Sequence, residues 1–265
     1  MTKVIGIIPA RGGSKGVVDK NLQFVGDWTL VQRTIKYGLV SNHLDALIIS
    51  SDSNEILKSA SEVCLPEQVF GYTEDFEIDK VTHGEQNRLM PVLLQKRPSF
   101  LSQDNSRIVD LLNHLLRQVE KNTSQSDAFY FLLLQPTSPF RQTDEIDRFL
   151  EASGVLEVPG NAISVKEVQD EHPARMYTLS DSTLTHLGLY PDFEFFPRQE
   201  LPKLFLRDGG YYFLHPETIR SGRMVSDNSQ YFIRKFPYSL NVDKPEDLIF
   251  ANFLIETGHF IENLK

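Results

Sequence analysis

The chain holds one cysteine, Cys64, among 265 residues. A lone thiol excludes an internal disulfide framework and any zinc site built from several cysteines, and its helical neighbourhood reads as a buried structural group. Long apolar runs are missing too. The stretch Phe129 to Leu134 falls far short of the ~20 residues that a membrane-spanning helix needs. Basic charge is in deficit: 27 Lys and Arg against 36 Asp and Glu give −9, which argues against a broad nucleic-acid footprint. The residues before Val4 offer no basic n-region and no longer apolar segment follows, so a cytoplasmic setting is expected. No internal repeat, low-complexity tract or linker is visible. What remains is 40% hydrophobic and 24% charged residues, the composition of a soluble globular protein large enough for a substantial core.

Val4 to Ile8 is a short apolar run closed by Pro9 and a Gly-rich turn, the pattern of a buried parallel strand. Thr29 to Leu39 carries Leu30, Val31, Ile35 and Leu39 at helical spacing, and Ala46 to Ser50 reads as the second strand. Ser53 is a fitting N-cap for a helix with Ile56, Leu57, Ala60 and Val63 on one face. Periodicity fades from Leu65 to Ser102, where Pro66, Gly71, Gly84, Pro91 and Pro98 punctuate the chain. A helix is expected over Asp104 to Val119, a strand over Ala128 to Leu134 and a short helix over Asp144 to Ala152. Ala162 to Val165 reads as a strand, Met176 to Tyr190 as a hairpin, Tyr211 to Leu214 and Tyr231 to Phe236 as further strands. Pro245 to Thr257 reads as a helix ended by Gly258. Such alternation predicts an α/β fold: a Rossmann-like, mostly parallel sheet with helices on both faces, forming one domain over 1–265 with an arm inserted at about 166–205. Ligands of such sheets bind beyond the carboxyl ends of the strands, which singles out the loops after Ile8, Ile49 and Leu134.

The first of these loops is Pro9-Ala10-Arg11-Gly12-Gly13-Ser14-Lys15-Gly16, with Lys20-Asn21 just beyond. Three glycines let backbone N–H groups approach an anion, and Arg11, Lys15 and Lys20 supply charge for a polyphosphate. The Gly-Lys-Ser/Thr ending of a P-loop and the spacing of a dinucleotide fingerprint are both absent. After Leu134, Gln135-Pro136-Thr137-Ser138-Pro139 presents an amide on a loop stiffened by prolines. Gly209 in Arg207-Asp208-Gly209-Gly210 permits close approach of a ligand. His172 reads as a packing or turn residue, and Phe193, Phe195 and Phe196 as core or interface contacts.

With these motifs in order, the chain resembles the acylneuraminate cytidylyltransferases, which activate nonulosonic acids as CMP-sugars. The carriers are Ile8 to Gly16, Lys20-Asn21, Arg97-Pro98, Leu133 to Arg141, Pro197 to Pro202 and Asp243 to Leu248. The resemblance runs from Val4 to about Asn252 with a poor stretch near Pro66 to Gln95. Lys15-Gly16-Val17-Val18 is closer to the neuraminate branch than to the 3-deoxy-manno-octulosonate enzymes. The resemblance implies a fold of the nucleotide-diphospho-sugar transferase type and a reaction of CTP with a nonulosonic acid, requiring Mg2+. It also implies a homodimer whose arms reach the partner's site.

By the same resemblance, Arg11, Lys20 and Asp243 are the expected catalytic residues, with Asp243 and Asn241 at the metal. Ala10, Arg11, Gly12, Gly13, Ser14, Lys15, Lys20, Asn21 and Arg97 are expected at the nucleotide. Gln135, Arg175, Arg198, Arg207, Asp208 and Gly209 are expected at the sugar. Asp208 and Asn241 stand where the family has Asn and Asp. The competing readings are a nucleotidyltransferase for another sugar or base, and a non-catalytic homologue that binds nucleotide or sugar.

Overall fold

A computed structural model describes residues 2–70, 89–121, 128–158, 160–168 and 170–261. Residues 71–88 of the stretch without periodicity, Gly71 and Gly84 among them, lie outside the described residues. The elements, in chain order, are β1 (Thr2–Pro9), β2 (Phe24–Val25), β3 (Trp28–Thr29), α1 (Leu30–Leu39), β4 (Ala46–Ser51), α2 (Asn54–Ser61), β5 (Val69–Phe70) and β6 (Val92–Lys96). There follow α3 (Ile108–Lys121), β7 (Ala128–Leu134), α4 (Glu145–Ala152), β8 (Ala162–Glu167), β9 (Tyr177–Ser180) and β10 (Thr183–His186). The last are β11 (Phe205–Leu214), α5 (Pro216–Arg220), β12 (Gln230–Ile233) and α6 (Pro245–Glu256).

Eight strands form one sheet in the order β12-β8-β11-β7-β1-β4-β6-β5. All neighbours run parallel except β11, which is antiparallel to both β7 and β8. The apolar runs fill the middle because both of their faces are covered. One face carries Val31 and Ile35 of α1, Ile56 and Leu57 of α2 and Phe149 and Leu150 of α4. The other face carries Leu111, Leu112 and Leu115 of α3 with Ile219 of α5. The expected doubly covered sheet is therefore the observed one. Its chain leaves β1 toward β4 and β6 on one side and returns to β7 on the other, so the crevice of ligand-binding sheets opens above β1 and β7.

Local chemistry sets the helix starts. Thr29 Oγ1 accepts from Gln32 N at 3.3 Å while Gln32 Oε1 accepts from Thr29 N at 3.1 Å, a closed capping box for α1. Ser53 Oγ accepts from Ile56 N at 3.3 Å, so the expected N-cap of α2 is in place. The expected helix from Asp104 begins later, at Ile108, because Asp104 to Arg107 turn above the sheet. Between β8 and β11 the chain leaves the sheet as an arm holding the β9–β10 hairpin, whose Leu179 and Leu184 are 73% and 68% exposed. Cys64 is half-buried, its Sγ donating to Ala60 O at 3.4 Å, and burial pushes its pKa up to about 11. Among the described residues no helix is long and apolar enough to cross a membrane.

Candidate functional site

A cleft of about 500 Å³ opens at the carboxyl ends of β1, β6 and β7. Arg11, Ser14, Lys15, Gly16, Lys20 and Asn21 form one wall, Arg97, Leu101, Asp104, Arg107 and Leu111 another, and Gln135, Pro136, Thr137 and Asp243 close it. Four cations thus converge from loops after two strands, with Arg107 at the rim. Such convergence in a protein of net charge −9 suits a multiply charged anion.

The loop after β1 is held from below. Ala10 N donates to Ser50 O at 2.9 Å, and Asn21 Nδ2 donates to the Arg11 carbonyl at 2.8 Å. Gly12 N donates to Asp52 Oδ1 at 2.9 Å, so this amide is spent on the fold and is not offered to an anion as expected. Ala10 is wholly buried, and neither it nor Gly12 nor Gly13 borders the cleft. Gly13 adopts φ +63°, which lets the loop reverse, and Gly16 lies so close to the Asp243 carbonyl that no side chain fits there. The glycines therefore shape the loop, while its cations face the cleft.

Lys20 Nζ donates to Val242 O at 2.9 Å and to Asp243 Oδ1 at 3.0 Å. Asp247 Oδ2 accepts from the N–H groups of Asp243 and Lys244, each at 2.9 Å, which fixes Asp243 at the start of α6. Across the cleft, Asp104 meets Lys15 at 2.6 Å and Arg11 at 3.3 Å. The hydrogen bond from Lys15, the charge of Lys15 and that of Arg11 hold the Asp104 carboxyl below its usual range. Sequence reading missed Asp104, because nothing local marks a carboxylate whose partners lie about ninety positions upstream.

Arg97 is buried, its Nε donating to Ser50 Oγ at 3.1 Å and its Nη2 to Ser50 O at 2.7 Å. Burial lowers its pKa to about 10, against the favourable charge of Asp52, with Arg11 adding repulsion. It remains a cation at neutral pH on the floor of the cleft.

The sugar set divides. Gln135 borders the cleft, and Gly209, at φ +77°, lies so near that an added side-chain carbon would sit 3.0 Å from Gln135 Oε1 and 3.0 Å from Asn241 Nδ2. Asp208 does not face this space. Its side chain is wholly buried, accepts from Arg234 Nη1 at 2.9 Å and from the Ser164 hydroxyl, and belongs to the core. Asn241 is likewise committed: Ser138 Oγ donates to its Oδ1 at 2.7 Å, and its Nδ2 donates to Asp208 O at 2.8 Å. It does not border the cleft, and both ends of its amide are bonded to the scaffold. Arg207 is exposed on β11, outside the residues that border the cleft.

Arg175 and Arg198 lie in the arm. Arg175 Nη2 donates to Phe196 O at 2.7 Å, and Arg198 Nη1 pairs with Asp170 at 3.1 Å. Arg198 borders a separate cleft of about 360 Å³ with His172 and Lys203, which shares no residue with the first. His172 is the turn residue it was expected to be: its Nδ1 accepts from Ala174 N at 3.1 Å.

The cytidylyltransferase family matches residues 5–83, which include the cation loop. The chain is 29% identical over 250 residues to an N-acylneuraminate cytidylyltransferase of Streptococcus agalactiae serotype V, covering 93% of this chain and 52% of the relative. It is 23% identical to a CMP-N,N'-diacetyllegionaminic acid synthase of Legionella pneumophila, covering 96% of this chain and 97% of that one. The chain spans about half the length of the streptococcal relatives. Its fold is similar to that of a CMP:2-keto-3-deoxy-manno-octonic acid synthetase complexed with CTP, at TM-score 0.59 and 12% identity, covering 97% and 99% of the two chains.

Proposed function

We propose that the protein transfers CMP from CTP to the anomeric hydroxyl of a nonulosonic acid and releases pyrophosphate. The observation that carries this reading is the ring of Arg11, Lys15, Lys20 and Arg97 around one cleft at the switch point of a cytidylyltransferase sheet. The likeness to an N-acylneuraminate cytidylyltransferase and to a CMP-N,N'-diacetyllegionaminic acid synthase supports the same acceptor class. In the reaction the sugar oxygen bonds to the α-phosphorus, the bond from that phosphorus to the oxygen bridging to the β-phosphate breaks, pyrophosphate departs with that electron pair, and the hydroxyl proton passes to water. The task of the protein is positioning and charge stabilisation. Arg11, Lys15 and Lys20 neutralise the triphosphate and the departing pyrophosphate, which accumulates negative charge. Gln135 presents its amide to the acceptor.

Mg2+ fits the donor set in a particular way. Asp243 offers a hard oxygen at the cleft edge, with its side chain 67% exposed, whereas the described residues hold no cluster of three or more metal-ligating side chains. That arrangement suits an ion carried by substrate phosphates and fastened by one carboxylate. When bound, Mg2+ supplies charge stabilisation on the phosphate oxygens.

The same proposal includes a cytoplasmic homodimer. Exposed Leu179, Leu184 and Phe195 on the arm supply an apolar surface for a second copy, and Arg175 and Arg198 are the cations such an arm would bring to the partner's sugar. Mixing an Arg198→Ala chain with an Asp243→Ala chain is expected to restore activity, since one site of the mixed dimer is whole; no rescue after proven subunit exchange contradicts sharing. The reaction itself is tested by pyrophosphate release with CTP, UTP, GTP and ATP against a panel of nonulosonic acids. CTP-dependent release with at least one acid is expected. Release only with another nucleotide, or none with any acid, overturns the assignment.

A further inference from the structure

Outside the cleft, the described residues include a cluster of buried charge that the proposed reaction does not use. Arg234, just past β12, is fully buried, as are its two carboxylate partners. Its Nη1 donates to Asp208 Oδ2 at 2.9 Å, its Nε to Glu145 Oε1 at 3.2 Å, and its Nη2 to Phe140 O at 2.6 Å and Glu145 Oε2 at 3.3 Å, so every nitrogen of the fork is bonded inside a closed polar shell. Its guanidinium lies 5.0 Å from the Tyr211 ring centroid, while Arg141 lies 5.5 Å from the same ring. Arg141 Nη1 donates to Ser138 O at 2.6 Å and its Nη2 to Gln135 O at 3.0 Å. Two arginines gripping one tyrosine thus hold the carbonyls of the loop after β7.

The other end of this network is an interruption in β11. The register with β8 shifts between Arg207 and Tyr212, so the residues between lose their regular ladder bonds. Side chains replace them. Asp208 Oδ1 accepts from Gly210 N at 3.0 Å, Ser164 Oγ accepts from Tyr211 N at 2.8 Å, and Asn241 reaches the Asp208 carbonyl. Arg234 presses so closely on Gly210 that only glycine fits. The product of this arrangement is the position of Gly209 against Gln135 at the edge of the cleft.

We propose that Arg234 is a positioning residue: through Asp208 it fixes the Gly209 bulge, and with Arg141 it sets the Gln135 loop, so that the acceptor half of the site is held in place from within the core. The proposal deepens the cytidylyltransferase reading and rests on it for the identity of the acceptor. It also explains why an acid stands at position 208: a carboxylate completes the shell of a buried guanidinium.

Asp208→Asn isolates the link. The amide oxygen still accepts from Ser164 and Gly210, so the bulge keeps its own bonds, but the amide nitrogen turns a donor toward Arg234 Nη1. In this variant the KM for the nonulosonic acid is expected to rise about tenfold to a hundredfold, the penalty typical of a misplaced binding group, while the KM for CTP stays unchanged. Arg234→Lys, which keeps charge but loses the fork, is expected to behave alike, and added guanidinium is expected to restore acceptor KM in Arg234→Ala. Hydrogen exchange read on the same variants should rise at 134–139 and 208–211 and not at 9–21. An unchanged acceptor KM, or a parallel rise for CTP, in a folded Asp208→Asn protein overturns the proposal. If the wild-type protein turns over no acid, the functional reading falls, and exchange still decides the brace: no rise at 134–139 refutes it.

Discussion

Two sets of cations, Arg11 with Lys15 and Arg141 with Arg234, have opposite fates. Arg11 and Lys15 meet Asp104 with side chains 34% and 78% exposed, whereas Arg141 and Arg234 are at most 2% exposed and bonded to carbonyls and carboxylates of their own chain. The first set pairs with one half-exposed carboxylate, Arg11 donating also to Gln103 O at 3.1 Å, and stays accessible to an incoming anion. The second has both Nη atoms of each fork bonded within the fold, and in Arg141 only the buried Nε lacks a partner. What separates a ligand-binding cation from a structural one is therefore the number and burial of its partners, not its residue type or its nearness to a glycine.

This contrast can be broken in order of expected effect. Asp243→Ala should abolish turnover in the pyrophosphate assay, because it removes the acidic oxygen at the cleft edge and the partner of Lys20; an active variant would remove Asp243 from the metal's surroundings. Arg234→Met should lower stability by about 3–5 kcal/mol in urea titrations, as two buried carboxylates lose their counter-charge, whereas Arg11→Ala should stay within ~0.5 kcal/mol of wild type. Equal losses in the two variants would erase the distinction. Arg11→Ala and Lys20→Ala should each lose roughly 30-fold to 1000-fold in kcat/KM for CTP, matching about 2–4 kcal/mol of transition-state stabilisation. The smallest effect concerns Cys64. Its raised pKa leaves the thiolate about 100-fold scarcer near neutral pH than in an ordinary cysteine, so alkylation should be slow and should accelerate as pH rises toward about 11. Fast labelling at neutral pH would contradict its burial.

The parts legible in the sequence are those whose partners are local or periodic. β1, β4 and β7 announced themselves as apolar runs, α2 by its Ser53 cap, and the cation loop by glycines beside Arg11 and Lys15. β6 did not, because Val92 to Lys96 is a five-residue run between Pro91 and Pro98 that suits several structures. β11 begins at Phe205 rather than Tyr211, since its bulge and paired glycines interrupt the alternation that marks a strand. Asp208 was read as a ligand because its partner Arg234 lies 26 positions away on another element, a pairing no local pattern encodes. Asn241 is illegible for the same reason: 241–243 lie outside any strand, Asp243 borders the cleft, and the Asn241 amide bonds to Ser138 and the Asp208 carbonyl.

The most direct test of the division between available and consumed cations is calorimetric titration of CTP into three proteins: wild type, Arg11→Ala and Asp208→Asn. The account predicts tight CTP binding by wild type, an affinity lower by at least about 30-fold in Arg11→Ala, and an unaltered affinity in Asp208→Asn. Unaltered binding by Arg11→Ala, or a loss in Asp208→Asn that equals it, would contradict the account.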